Sequence, residues 1–201
     1  MAKQNFQNIV TPSGVAIYPH LINPDTKFNP VGEYKVSLSL SEDEATPIIE
    51  KINASLEQAK EMIPEGKKAK EAELPYFIET DEDGNKTNRY VFKFKMKAKI
   101  TTKDGRTIEM SPKIFDSQGK IIKGLDSIWG GSTLRVSADL VPFYVAAVGA
   151  GVTLRLKAVQ VIELVKGGGS DGSSFGFDKT DGYVAEEQES SELVFADEED
   201  F

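Results

Sequence analysis

Along most of the chain apolar and polar residues alternate with a period of two, the pattern of strands with one buried face and one wet face. Tyr34, Val36, Leu38 and Leu40 fall on one side, with Lys35, Ser37 and Ser39 on the other, and Leu134, Val136, Ala138 and Leu140 repeat the arrangement. Residues 15–22 read as extended but are interrupted at Pro19, which predicts two short strands. Residues 152–165 form another long β run, where Leu154, Leu156 and Ala158 give way to Val161 and Leu164 with a change of parity near Gln160, the mark of a bulge. Asp83 with Gly84, Asp104 with Gly105, and Ser117, Gln118 and Gly119 supply the turns.

The period changes once. Ile48, Ile49, Ile52, Leu56, Ala59 and Ile63 recur at spacings of three and four, which predicts a helix over residues 46–62. Two starts compete for it. Ser41 with Glu44 resembles a capping box, but Pro47 fits better as the first helical residue behind a Thr46 cap. Pro64 and Gly66 end the helix. A single apolar stripe has one face to bury, so this lone helix is expected to cover one end of a β-barrel.

Charge divides the chain. The formal net charge is −8, yet residues 167–201 alone hold eleven acidic residues and one lysine, or −10. Residues 1–166 are left with 23 basic and 21 acidic residues, or +2, so the acidic average describes the tail and does not exclude a polyanionic partner for the body. Glycine and serine crowd residues 167–174, followed by acids with scattered aromatics, the composition of a linker and a disordered tail. The expected organisation is a domain at 1–166 and a Gly-rich linker with an acidic tail at 167–201. The absence of cysteine excludes disulfides and thiolate metal sites. The longest uncharged apolar run, residues 140–152, is too short for a bilayer, and no apolar signal core opens the sequence, so a cytoplasmic location is expected.

Residues 89–101 carry the most chemistry. Phe92, Phe94, Met96, Ala98 and Ile100 share one face, which projects Lys93, Lys95, Lys97 and Lys99 together from the other, roughly 7 Å apart. That spacing is close to the phosphate spacing of an extended single strand. Residues 86–113 hold nine basic residues and two acidic ones, and Arg89, Lys103 and Arg106 extend the track. A lysine row also protects an edge strand from pairing and then needs no ligand. A single-strand binder needs π-surfaces for its bases as well. Tyr34, Tyr76, Phe77, Phe115, Trp129, Phe143 and Tyr144 are available; Phe115 and Phe143 are expected in the core, while Trp129 beside Gly130 and Gly131, Tyr144 and Tyr34 are taken as ssDNA-binding candidates.

Signals of catalysis are weak. His20 is the sole histidine, no Ser/His/Asp grouping can be assembled, and the glycines at 167–169 lack the Lys-Ser/Thr of a phosphate-binding loop. Asp81, Asp83 and Asn85 fail as a calcium loop because Gly84 is misplaced and Phe92 stands where the closing glutamate belongs. No enzyme activity, cofactor or metal is expected. The tail reads differently: Asp197, Glu198, Glu199 and Asp200 precede Phe201, an anionic segment with an apolar plug suited to a basic pocket. A flexible stretch of that length reaches roughly 30–35 Å, about twice the ~15 Å radius of gyration expected of the body, so it can reach its own basic face.

A lysine-bearing β-domain followed by a glycine-rich linker and an acidic tail ending in Phe resembles the phage-encoded single-stranded DNA-binding proteins, the T7-like group among them. Residues 130–140, 142–150 and above all 151–164, GVTLRLKAVQVIEL, carry the resemblance. The tail is also similar in form to that of bacterial single-stranded DNA-binding proteins. The resemblance implies a mainly β fold, a five-stranded OB-fold-like barrel with one α-helix, and a groove for single-stranded DNA. It implies a role in phage DNA replication, recombination and repair in the host cell cytoplasm. It further implies that the tail docks on replication proteins such as DNA polymerase or helicase-primase and shields the groove when DNA is absent. A homodimer is compatible with the sequence but not specified by it. The alternative reading is a protein-only replication adaptor or DNA mimic acting through the acidic tail.

Overall fold

The computed structural model describes residues 6–27, 29–66, 70–81, 83–102 and 104–165. Along them run β1 Gln7–Val10, β2 Gly14–Asp25, β3 Glu33–Ser41, α1 Glu42–Glu61, β4 Tyr76–Thr80, β5 Lys86–Lys97, β6 Lys99–Thr101, β7 Thr107–Glu109, β8 Lys113–Phe115, β9 Thr133–Val145 and β10 Gly149–Glu163. The fold is mainly β with one helix, as the alternation predicts.

The long strands close on themselves. β2 pairs with β3, β3 with β5, and β9 with both β2 and β10, all antiparallel. A short parallel contact between β5 and β10, Phe94 with Leu154 and Lys95 with Arg155, completes a five-strand ring, β2–β3–β5–β10–β9. β1 adds to β9, β4 to β5 and β8 to β10. Inward positions of the alternation fill the interior: Val36, Leu38, Leu40, Phe92, Phe94, Leu134, Val136, Leu140, Leu154 and Leu156 are all buried. Each such side chain contributes about 1.5–3 kcal/mol. Ile48, Ile52 and Leu56 of α1 join the same core, and the helix packs on β9 and β10.

Four local features depart from the sequence pattern, each for a physical reason. The helix starts at Glu42 with Ser41 as its cap, not at residue 46. The Glu44 carboxylate accepts from the Ser41 backbone N–H at 3.2 Å and from its hydroxyl at 2.7 Å, and Glu42, Asp43 and Glu44 complement the positive end of the helix. Pro47 then lies inside the helix, where its missing N–H forfeits one bond, and the cap and acidic turn outweigh that loss. β2 is one strand rather than two: its register slips between Ile17 and His20, and Tyr18 takes a φ of +46° there. In β10 the bulge falls between Leu156 and Ala158, earlier than Gln160, with a second irregularity between Val161 and Glu163.

The fourth departure concerns the lysine row. β5 ends at Lys97, and Lys99 belongs to β6, which pairs with β7. Buried Ala98 stands at the break. Its N–H still donates to the Gly32 carbonyl at 2.9 Å, in step with the β3 pairing, while its own carbonyl accepts from Met110 N–H at 2.8 Å, beside the end of β7. The predicted turns hold, with Gly84, Gly105 and Gly119 at φ of +82°, +80° and +80°. Among the described residues no helix is long and apolar enough to cross a membrane.

Candidate nucleic-acid interface

Because Phe92, Phe94 and Met96 turn into the ring, β5 presents Lys93, Lys95 and Lys97 to solvent. Register multiplies that row. Lys95 stands opposite Lys35 of β3 on one side and Arg155 of β10 on the other. Three cations from three adjacent strands thus align, about 4.8 Å apart per strand, across lysines spaced about 6.7 Å along β5. Two depressions of about 530 and 720 Å³ adjoin here and share Glu33, Lys95, Phe143 and Thr153. Their walls hold seven basic side chains (Lys35, Lys93, Lys95, Lys97, Lys113, Arg155 and Lys157) against three acids, Glu33, Glu73 and Asp139. The two form one cationic groove with Phe143 in its middle.

Phe143 departs from its expected place in the core. It is half-buried, on β9 opposite Gly151 of β10. A Cβ on Gly151 would stand 2.7 Å from the Phe143 Cζ, so glycine is what lets the ring settle against the sheet with a face left to the groove. Tyr34 does the reverse. At 9 % exposure its ring belongs to the core and offers no face to a base. Tyr144 is half-buried and packs on the core, while Trp129 is 53 % exposed in a turn away from the lysine row.

The basic residues differ in how free they are. Among the described residues Lys95 and Lys97 have no ion pair. Lys93 meets Glu73 at 3.0 Å and lies over the Phe77 ring, 5.1 Å from its centroid. Lys35 is paired with Asp25, whose carboxyl is held below the usual carboxylate range by the hydrogen bond from Lys35 and by the Lys27 backbone N–H. Lys99 pairs with Glu109 at 3.1 Å, and Arg106 with Asp104 at 2.6 Å, both on the β6–β7 hairpin. Arg89 is turned onto Ser39, 2.9 Å from its hydroxyl and 3.1 Å from its carbonyl, with Glu79 at 3.6 Å. The groove thus gathers Lys93, Lys95 and Lys97 and leaves Lys99, Arg106 and Arg89 in other contacts. Lys103 and the tail residues Asp197, Glu198, Glu199, Asp200 and Phe201 lie outside the described residues.

Asp139 is the buried acid of the groove. Arg155 donates to it at 2.9 Å, Lys157 at 3.1 Å and Asn8 at 3.1 Å. Burial opposes its charge, yet the hydrogen bonds from Arg155, Asn8 and Lys157 prevail and hold its carboxyl below the usual range. The bulge explains how Lys157 takes part: skipped by the β9 ladder, it is free to follow Arg155 toward Asp139.

Sequence reasoning missed Lys35, Lys113, Arg155, Lys157 and Phe143. A signal existed for two of them, since Thr153, Arg155 and Lys157 alternate with Val152, Leu154 and Leu156 just as the lysines of β5 alternate with aromatics. Among the described residues no group of three or more His, Asp or Glu side chains could hold a metal ion.

A five-strand ring with one helix and a cationic groove on its outer face places the chain in the class of OB-like β-domains. The family model described as "Single-stranded DNA-binding protein, Bacteriophage T7" matches residues 13–164, and the chain belongs to that family, one of binding proteins rather than enzymes. It is 33 % identical over 176 residues to the single-stranded DNA-binding protein of Enterobacteria phage T3, covering 81 % of this chain and 76 % of that one. To the single-stranded DNA-binding protein of Escherichia phage T7 it is 32 % identical over 207 residues, covering 92 % and 87 %. The crystal structure of the T7 protein superposes with a TM-score of 0.64 at 28 % identity, covering 90 % of this chain and all of that one. The single-stranded DNA-binding protein of bacteriophage Enc34, solved in complex with ssDNA, shares the fold with a TM-score of 0.54 at 16 % identity, over 79 % and 88 %.

Proposed function

We propose that this chain is a passive binder of single-stranded DNA, using residues 1–166 as its binding domain and coating the strand along the β3–β5–β10 groove. Phosphates lie on Lys93, Lys95, Lys97 and Arg155, and a base rests on Phe143. The observation that carries the reading is the alignment of Lys35, Lys95 and Arg155 across three neighbouring strands. A ring half-sunk in a groove reaches a base only when that base is unpaired, which favours single strands over duplex. Family membership supports the same ligand. The setting is phage DNA replication, recombination and repair. Residues 167–201 serve as a linker and a tethered anionic competitor for the groove, with Asp197, Glu198, Glu199, Asp200 and Phe201 recruiting replication proteins once DNA has displaced them.

The test is a fluorescence-polarisation titration of an unstructured labelled oligonucleotide and of its duplex at two salt concentrations. The single strand binds more tightly, and its affinity falls with salt by a slope of about −0.7 per neutralised phosphate. No affinity for the single strand even at low salt leaves the adaptor reading, in which the acidic tail is the main binding element.

A further inference from the structure

The register slip in β2 lifts one aromatic residue clear of the sheet. Tyr18 is 83 % exposed, the most exposed large apolar side chain among the described residues, and the only described non-glycine residue with positive φ, at +46°. A bulky side chain in the left-handed region is strained by about 1–3 kcal/mol. Among the described residues the Tyr18 side chain makes no hydrogen bond and no ring contact that would offset that strain. Its position supplies the reason. Tyr18 lines the cationic groove with Lys35 and Lys93, and on its other side lines a separate depression of about 760 Å³ shared with Trp129.

Trp129 is held ready there. Its indole N–H donates to the Ser127 hydroxyl at 2.9 Å, its backbone N–H to the Val165 carbonyl at 3.2 Å, and its carbonyl accepts from Ser132 N–H at 3.2 Å. Gly131 N–H donates to the Ala16 carbonyl at 2.9 Å, tying this turn to β2 two residues before Tyr18. With its one polar hydrogen already used, the 53 % exposed indole has only its π-surface left to offer. His20 and Asp126 also line this depression, and a π-surface beside a phosphate track is what an unstacked base needs.

We propose that this second depression is a nucleobase-stacking subsite, entered over Tyr18 by a strand leaving the cationic groove, with Trp129 as its platform. The inference rests on the single-strand reading of the groove and extends its path around the β2 bulge.

Trp129 is the only tryptophan in the chain, so its emission reports on this subsite alone. The experiment uses the full chain with two end-labelled probes, an oligothymidylate of about 16 nucleotides, the upper range of site sizes for such folds, and an abasic oligonucleotide of equal length. Polarisation reads total binding, and tryptophan emission reads stacking. Both probes bind, but only the thymidylate quenches Trp129. Trp129→Ala and Tyr18→Ala each weaken thymidylate binding by about tenfold and leave the abasic probe unaffected. Tyr18→Gly, which removes the backbone strain, melts at a higher temperature while losing the same affinity. Thymidylate binding without quenching, and undiminished in Trp129→Ala, overturns the subsite and leaves the groove standing. Failure of both probes to bind overturns the groove and the subsite together.

Discussion

The Asp139 carboxylate takes hydrogen bonds from Arg155 at 2.9 Å and Lys157 at 3.1 Å, so the proposed binding face carries an anion of its own. In the free protein that anion orients two cations and neutralises part of the groove. Asp139→Asn keeps the shape and removes the charge. Single-strand affinity is expected to rise about fivefold, from one screened charge at short range, with a steeper loss on adding salt. The folded-state pKa of Asp139 is lowered, so the stability it contributes is present above the unfolded carboxylate value and is lost as pH falls through the folded one. Wild type is therefore more stable than Asp139→Asn at neutral pH, and the gap closes below about pH 4. Thermal melts across pH 2–7 and salt-dependent titrations check the two halves separately.

Lys95 lies at the crossing of the two cationic rows and has no ion pair among the described residues, whereas Lys99 is paired with Glu109 on the β6–β7 hairpin. Lys95→Glu is expected to weaken single-strand binding by about tenfold or more and to lower the salt slope by about 0.7 for each phosphate no longer neutralised. Its melting temperature changes little, since exposed substitutions stay within about 0.5 kcal/mol. Lys99→Glu, equal in charge change, has the smaller effect on binding. Equal losses for the two variants would show that net charge, not the groove, sets affinity.

Period-two patterning was enough to place the faces of β3, β5 and β9, because one buried face leaves a strand a single register. Turn glycines and the helical stripe were legible for the same local reason. The end of β5 was not. Ile100 continues the apolar alternation and yet is exposed, since beyond Ala98 the chain pairs with β7, Ile100 opposite Ile108, and no longer with β3. The groove was half legible: β5 announces its lysines, but the alignment of Lys35 and Arg155 with Lys95 is a property of strand order. Aromatic roles were the least legible. Tyr34 has the inward parity of Val36 and Leu38 and Phe143 the outward parity of Asp139 and Val141, but the room that Gly151 leaves for the Phe143 ring comes from strand pairing.

That contrast between Tyr34 and Phe143 can be measured. Phe143→Ala is expected to lose about 1–3 kcal/mol of single-strand binding while the protein stays folded. Tyr34→Ala empties a buried position and is expected to destabilise the fold by about 3 kcal/mol or more, whereas Tyr34→Phe retains single-strand affinity. Gly151→Ala places a methyl group within 2.7 Å of the Phe143 ring and must displace it. Its affinity should therefore approach that of Phe143→Ala although no aromatic has been removed. Denaturation curves paired with titrations separate loss of fold from loss of stacking.

Removal of residues 167–201 takes away a formal charge of −10 and leaves a domain of +2. On the proposed reading, in which the tail competes for the groove, a tether of that length sets an effective concentration of order millimolar. If the tail alone binds with a dissociation constant near 0.1 mM, about nine-tenths of grooves are occupied by it, and truncation tightens single-strand binding about tenfold. The salt dependence carries the sign. Added salt weakens the tail's hold as well as the DNA's, so in the full chain the two losses partly cancel. The truncated chain accordingly binds more tightly at low salt but loses affinity more steeply, and the two titration series converge as ionic strength rises. Parallel lines at a constant offset point to a general charge effect, and coincident lines show that tail and DNA occupy different surfaces.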